Sequence, residues 1–166
     1  MVAVIGERPY AEGDGDTGPN GTLRHSGRYP EDLAVLQAAA GKGKPVVTVF
    51  VSGRPLYVND LLNLSDVFVA AWLPGTEGKG VSDLLVAGAK RYEFTGKLPF
   101  SWPKSACQTE LNVGDKNYAP LFAYGHGLKT TTLSKVGKLD ATYPAGGCRV
   151  SNTFPVFSQA DRASLP

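Results

Sequence analysis

Three short apolar runs, each followed by a helix-forming segment, constrain the fold of this chain more than any other feature. The runs cover residues 2–5, 46–51 and 67–72, and they are rich in β-branched residues. Near-continuous apolar runs of this length are typical of strands that are buried on both faces of a parallel sheet. Strands that alternate with helices predict one sheet with right-handed crossovers. The predicted fold class is therefore α/β, a mostly parallel sheet flanked by helices.

Helix signals separate the strands. A helix is expected to begin near Pro30, because proline suits the first helical position and Glu31 and Asp32 oppose the positive end of the helix dipole. Gly41 then ends it. The other predicted elements are helices over residues 58–64 and 77–89, an edge strand over 94–103, and long loops over 13–30 and 105–128.

Composition and charge exclude several classes of protein. With 42% hydrophobic and 19% charged residues, the composition is that of a globular domain rather than a disordered chain. The net charge of +2 and the absence of a basic stripe argue against nucleic acid as a partner. No apolar run approaches the roughly 18 residues of a membrane span. No signal-peptide pattern is visible, and Met1 leads straight into strand-like sequence, so we expect the chain to begin inside a fold.

Four acidic residues follow the first strand within ten positions: Glu7, Glu12, Asp14 and Asp16. The carboxyl ends of parallel strands form the edge of the sheet where ligands bind. Carboxylates this close raise one another's pKa, which suits a proton donor. Loop acids with a structural role and a metal site are the alternatives, although the spacing does not match a calcium-binding loop. The residues alone leave these alternatives open.

Other residues with chemical potential are scattered. Trp72, at the end of a strand, is suited either to stacking on a sugar or to closing the core. Cys107 and Cys148 lack metal-ligand spacing and are either a disulfide or two separate thiols. His25 and His126 are expected to be isolated, with no acidic partner at catalytic spacing.

Several segments share the order and spacing of one known domain. Residues 6–16 fit the pattern Gly-Glu-x-Pro-Tyr-x-Glu-x-x-Gly-Asp. The further matching segments are residues 51–55, 70–78, 95–99, 111–115 and 120–125. Together they resemble the C-terminal α/β-sandwich domain of glycoside hydrolase family 3, the β-glucosidase and exo-glucanase family. His126 departs from the tyrosine that the family pattern leads us to expect.

The resemblance implies a domain organisation. Residues 1–130 would be the sandwich domain, incomplete at its N-terminus, and residues 131–166 a linker and the beginning of an additional β domain. The N-terminal (β/α)8 barrel of the family is absent from this chain. We therefore expect the isolated chain to be inactive.

The resemblance also implies a chemistry. The family hydrolyses β-glycosides with retention, using two carboxylates about 5–5.5 Å apart. The nucleophilic aspartate would lie on the barrel, and the acid/base glutamate maps to Glu7, with Glu12 as the rival. Glu7 is preferred here because a strand fixes its position. Glu12, Asp16, Arg54 and Trp72 are the candidates for substrate binding.

The expected substrate is a β-glucoside or a β-glucan oligosaccharide with a terminal β-D-glucosyl residue. No cofactor, metal, nucleic acid or membrane is expected to take part. The resemblance implies a periplasmic or secreted parent protein. The alternative function is a non-catalytic carbohydrate-binding or structural module.

Overall fold

The computed structural model describes residues 1–16, 22–86, 92–132 and 134–148. The strands and helices are β1 (Val2–Gly6), α1 (His25–Arg28), α2 (Pro30–Ala39), β2 (Val47–Val51), α3 (Asn59–Leu62), β3 (Val67–Ala70) and α4 (Gly78–Val86). A short 3₁₀ turn, Glu12–Gly15, lies between β1 and α1.

The strands form one parallel sheet in the order β1-β2-β3. Val47 of β2 is paired with Val2 of β1 on one side and with Val67 of β3 on the other. Helices α1 and α2 connect β1 to β2, and α3 connects β2 to β3. The predicted α/β class with a parallel sheet is confirmed.

The core lies between the sheet and the helices that follow β1 and β2. Its fully buried members are Leu36 of α2, Phe50 of β2, and Val58 and Leu61 around α3. The Phe50 ring packs against Phe68 of β3 at 5.5 Å between centroids. Burying each of these side chains contributes about 1.5–3 kcal/mol to stability. Because Phe50 belongs to β2 and the helical residues pack around it, the core is centred on the middle strand.

Only β2 is buried as the sequence predicts. In β1, Ala3 and Ile5 are buried, whereas Val2 and Val4 are 62% and 68% exposed. The prediction that this strand is buried on both faces is wrong, because β1 is an edge strand of the described sheet and one of its faces is uncovered among the described residues. Val67 of β3, at the other edge, is also exposed.

A predicted loop and a predicted edge strand also differ from the structure. Residues 25–28, predicted as loop, form the helix α1. The predicted edge strand over 94–103 is not formed, and the described residues there contribute a single antiparallel bridge between Trp102 and Phe122. Pro99 and Pro103 explain this, because proline cannot donate a hydrogen bond to a strand ladder.

The remaining predictions are met only in part. Helix α4 begins as expected, but residues 87–89 of the predicted helix lie outside the described residues, and no residue of α4 is buried. Most of the predicted β domain, residues 149–166, is also outside the described residues. Within the described ranges, no helix is both long and apolar enough to cross a membrane.

Residues 139–142 pack against α3 and the residues that flank it. The carbonyl of Asp140 accepts hydrogen bonds from the Tyr57 hydroxyl at 3.0 Å and the Asn59 amide at 2.8 Å. A disulfide joins Cys107 to Cys148 and closes this region. The choice that the sequence left open is thus resolved in favour of a disulfide.

We expect Gly6→Ala to lower the free energy of unfolding by about 2–3 kcal/mol, as overpacking does. A Cβ at this position would overlap the carbonyl oxygen of Val51, so β1 and β2 would have to separate. Urea denaturation followed by circular dichroism measures the change. Gly78→Ala is the matched control, because nothing lies within 4 Å of its added methyl group. Equal stability of the two variants would contradict the prediction.

Candidate functional site

Three of the residues singled out from the sequence follow the carboxyl ends of the three strands. Glu7 follows β1, Arg54 follows β2 and Trp72 follows β3. The Glu7 backbone N–H donates to the carbonyl of Val51 at 2.9 Å, which extends the β1–β2 pairing by one residue. The strand therefore fixes the backbone of Glu7, as expected.

Glu7 and Arg54 form an ion pair. Arg54 Nη2 donates to Glu7 Oε1 at 2.9 Å, and Arg54 Nε donates to the same oxygen at 3.3 Å. The Glu7 side chain is 3% exposed and that of Arg54 is 24% exposed. Removing one partner of a pair this well shielded leaves the other charge uncompensated, which is strongly destabilising.

Tyr10 completes this pair. Its hydroxyl donates to Glu7 Oε2 at 3.4 Å, and its ring lies under the Arg54 guanidinium, 4.9 Å from the ring centroid. Burial raises the pKa of Tyr10, and the negative charge of Glu7 raises it further. The phenol therefore remains protonated at neutral pH and acts as a donor. We call Glu7, Tyr10 and Arg54 the clamp.

The clamp holds the turn that follows it. Arg54 Nη1 donates to the carbonyl oxygen of Gly15, the last residue of the Glu12–Gly15 turn. The Tyr10 ring fills the space beside Gly15, where a Cβ would come within 2.7 Å of it. Glu12 thus begins a turn whose far end is fixed by Arg54. Asp16 directly follows the turn.

His25 has an acidic partner that the sequence analysis missed. Its Nε2 lies 2.6 Å from Asp32 Oδ2, and the same oxygen accepts the N–H of Gly6 at 3.1 Å. The imidazole is fully buried and lies 4.9 Å from the ring centroids of both Tyr29 and Phe50. The prediction that His25 is isolated is wrong. The pair links two helices to the backbone just before Glu7.

The spacing of His25 and Asp32 in the sequence could have indicated this pair. His25 and Asp32 are seven residues apart, the first at the start of α1 and the second in the first turn of α2. Because the composition of residues 13–30 predicts one long loop, it indicates no helix that would bring the histidine near the carboxylate. The other histidine, His126, stacks on Phe122 at 4.7 Å between ring centroids.

A cavity of about 300 Å³ opens beside the clamp. Its volume is at the lower end of the range for small-molecule sites, about 300–1,000 Å³. The described residues that line it include Glu7, Asp16, Arg24, His25, Arg28 and Arg54. The structure thus brings Glu7, Asp16 and Arg54 to one cavity. The Glu12 side chain, also predicted from the sequence, lies outside the described part of the structure.

Trp72 lies outside this cavity, in an aromatic cluster. Its ring centroid is 6.3 Å from that of Phe100 and 6.0 Å from that of the buried Trp102. Its φ of 55° lies in the left-handed region, which is uncommon for a residue other than glycine. Strained backbone of this kind clusters at functional sites. The packing of the ring nevertheless favours a role in closing the core over one in stacking on a sugar.

The model of the glycosyl hydrolase family 3 C-terminal domain matches residues 1–130. The chain is 31% identical over 156 residues to a periplasmic β-glucosidase of Salmonella typhimurium, covering 81% of this chain and 19% of that protein. It is 32% identical over 145 residues to a lysosomal β-glucosidase of Dictyostelium discoideum, covering 81% of this chain and 16% of that protein. The chain thus spans less than a fifth of the length of these relatives.

The chain is also similar to solved structures of a β-glucanase and a β-glucosidase. The exo-1,3/1,4-β-glucanase of a Pseudoalteromonas species is 49% identical with a TM-score of 0.78, and the match covers 85% of this chain and 18% of that one. A β-glucosidase from Listeria innocua is 26% identical with a TM-score of 0.54, and the match covers 78% of this chain and 20% of that one.

Proposed function

Because the chain belongs to glycosyl hydrolase family 3, through the C-terminal domain of that family, we propose that it forms part of a retaining β-glucosidase or exo-β-glucanase. In this proposal the chain contributes the acid/base carboxylate for hydrolysis of terminal β-D-glucosyl residues. The nucleophilic aspartate comes from a (β/α)8 barrel outside this chain. The observation that carries the proposal is the acidic segment 7–16, which stands beside a cavity at the ligand-binding edge of the sheet.

The reaction needs one group that changes its protonation state between two steps. In the first step an acid protonates the departing glycosidic oxygen while the nucleophile attacks the sugar. In the second step the same group, now a base, takes a proton from the water that hydrolyses the covalent intermediate. The group must therefore reach the substrate and be able to hold a proton.

The geometry around Glu7 counts against this role. Oε1 accepts two hydrogen bonds from Arg54 and Oε2 accepts one from Tyr10, so both oxygens are already engaged by neighbouring side chains rather than directed at a substrate. The side chain is also only 3% exposed. We therefore propose Glu12 as the acid/base, with Glu7 as the alternative that the sequence analysis preferred.

A hybrid enzyme tests the proposal. Residues 1–148, which include both cysteines of the disulfide, would replace the corresponding segment of the Pseudoalteromonas exo-glucanase, which supplies the barrel. We expect the hybrid to hydrolyse aryl β-glucosides and short β-glucans, with the β-anomer formed first in a proton NMR time course. The purified isolated chain is expected to release no glucose. A folded hybrid without hydrolysis, or turnover by the isolated chain, would contradict the proposal.

A second candidate function is carbohydrate binding without catalysis. Phe100 and Tyr124 are 52% and 63% exposed, and both line a second cavity of about 340 Å³. Exposed aromatic rings are suited to stacking on sugars. Calorimetric titration of the isolated chain with cellobiose separates the two candidates, because binding combined with an inactive hybrid would favour the second.

We propose a periplasmic or secreted location for the parent protein. The disulfide between Cys107 and Cys148 supports this, because disulfides form and persist in oxidising compartments. The periplasmic β-glucosidase of Salmonella typhimurium is a relative with that location in its name.

A further inference from the structure

We infer that Arg54 is a positioning residue for the acid/base carboxylate. It joins the two ends of the segment 7–15, which carries Glu12. The inference rests on the proposed function. It assigns to Arg54 a role through other residues rather than the direct contact with substrate that the sequence analysis expected.

The hydrogen bonds of Arg54 go to both ends of this segment. Nε and Nη2 donate to the Glu7 carboxylate at its start, and Nη1 donates to the Gly15 carbonyl at its end. A guanidinium presents its donors in a rigid planar fork, so the two ends are fixed relative to each other. A lysine ammonium is a single point charge on a flexible stem and cannot reproduce this geometry.

The interior of the segment is filled by Tyr10. Its ring stacks under the Arg54 guanidinium and lies beside the turn, where it leaves no space for a side chain at Gly15. Its hydroxyl comes within 2.9 Å of the position that a Cβ would take at Gly53, next to Arg54 in the chain. These contacts of Tyr10, together with the hydrogen bond from Arg54 to Gly15, therefore hold the Glu12–Gly15 turn at the sheet edge.

The second carboxylate oxygen of Glu7 also has a hydrogen-bond partner. Tyr10 donates to Glu7 Oε2, the oxygen that Arg54 does not use. The Glu7 backbone N–H donates a hydrogen bond to Val51 of β2, and the backbone N–H of Gly6 donates one to the Asp32 carboxylate. The clamp is thus anchored to the sheet and to α2, while the turn it holds leads directly to Asp16 at the cavity.

Position matters for proton transfer to a leaving group. A displacement of about 1 Å from the productive geometry can cost about 10²-fold in rate. Such a loss falls on substrates whose leaving group needs protonation. Substrates with an activated leaving group, such as dinitrophenolate, depart without a proton and should be spared.

The test compares Arg54→Lys with Arg8→Lys in the hybrid enzyme. Arg8 neighbours Glu7 in sequence, but its side chain is 80% exposed and is paired only loosely with Glu31 at 3.4 Å. For Arg54→Lys we expect kcat/KM to fall at least about 30-fold on cellobiose and less than about 3-fold on dinitrophenyl β-glucoside. We expect Arg8→Lys to leave both values unchanged.

A second variant keeps the test valid if Arg54→Lys fails to fold. Gly15→Ala leaves every charge in place but pushes the turn away from Tyr10, and it should give the same dependence on the leaving group. Thermal unfolding of each variant is measured alongside. An equal loss on both substrates, or no loss on either, would overturn the inference. An inactive unsubstituted hybrid would instead overturn the proposed function on which it rests.

Discussion

In the hybrid enzyme, Glu12→Gln is expected to lower kcat/KM for cellobiose by about 10²–10⁴-fold, the usual contribution of general acid–base catalysis. On dinitrophenyl β-glucoside the same variant should lose much less in kcat/KM, because the first step then needs no proton donor. The basic limb of the pH profile of kcat/KM, which reports the essential acid, should also disappear.

Rescue by azide identifies the residue. A small anion can enter the space left by the missing carboxylate and attack the covalent intermediate, so azide should restore turnover of Glu12→Gln on the activated substrate. Glu7→Gln is the matched variant and should be less stable, because it leaves the Arg54 charge without its partner. It should not respond to azide. Rescue of Glu7→Gln and not of Glu12→Gln would make Glu7 the acid/base.

Loss of the disulfide is expected to lower the free energy of unfolding by about 4 kcal/mol, the value that the chain-entropy relation gives for a closed loop of this size. Cys107 and Cys148 are 41 residues apart in the sequence. Their link holds the segment whose Asp140 carbonyl accepts the hydrogen bonds of the buried Tyr57 and Asn59. Reduction therefore also exposes polar groups that pair only in the closed arrangement.

Urea denaturation of the chain with and without a reductant measures this difference. The double variant Cys107→Ser with Cys148→Ser is the control, because its unfolding midpoint should match that of the reduced chain and should not respond to reductant. Midpoints that coincide for the oxidised and reduced chain would contradict the prediction.

The fold was predictable because hydrophobic periodicity is a local signal. The strands, and the helix that begins at Pro30, follow from apolar runs and from helix-capping rules. The exposure of Val2 and Val4 was not predictable, because an edge strand and a central strand can have the same apolar sequence. Strand order is decided by the whole sheet.

The site was predictable only as a set of separate residues. The resemblance picked out Glu7 and Arg54 individually, but their pairing depends on the crossover that brings the ends of β1 and β2 together. Nothing local to Glu7 indicates that its two oxygens are already occupied. The pair of His25 and Asp32 was missed for a related reason, since it depends on a short helix that the loop-like composition concealed.

The parallel pairing of β1 with β2 has a consequence for the speed of folding. Glu7 and Arg54 are 47 residues apart in the sequence, and they approach only when the crossover has closed. The entropy of closing such a loop opposes folding before any strand contact compensates for it, so chains dominated by distant contacts fold slowly. The clamp must then form in the same late event as the sheet. A newly made chain would acquire the contacts of the clamp all at once rather than in stages.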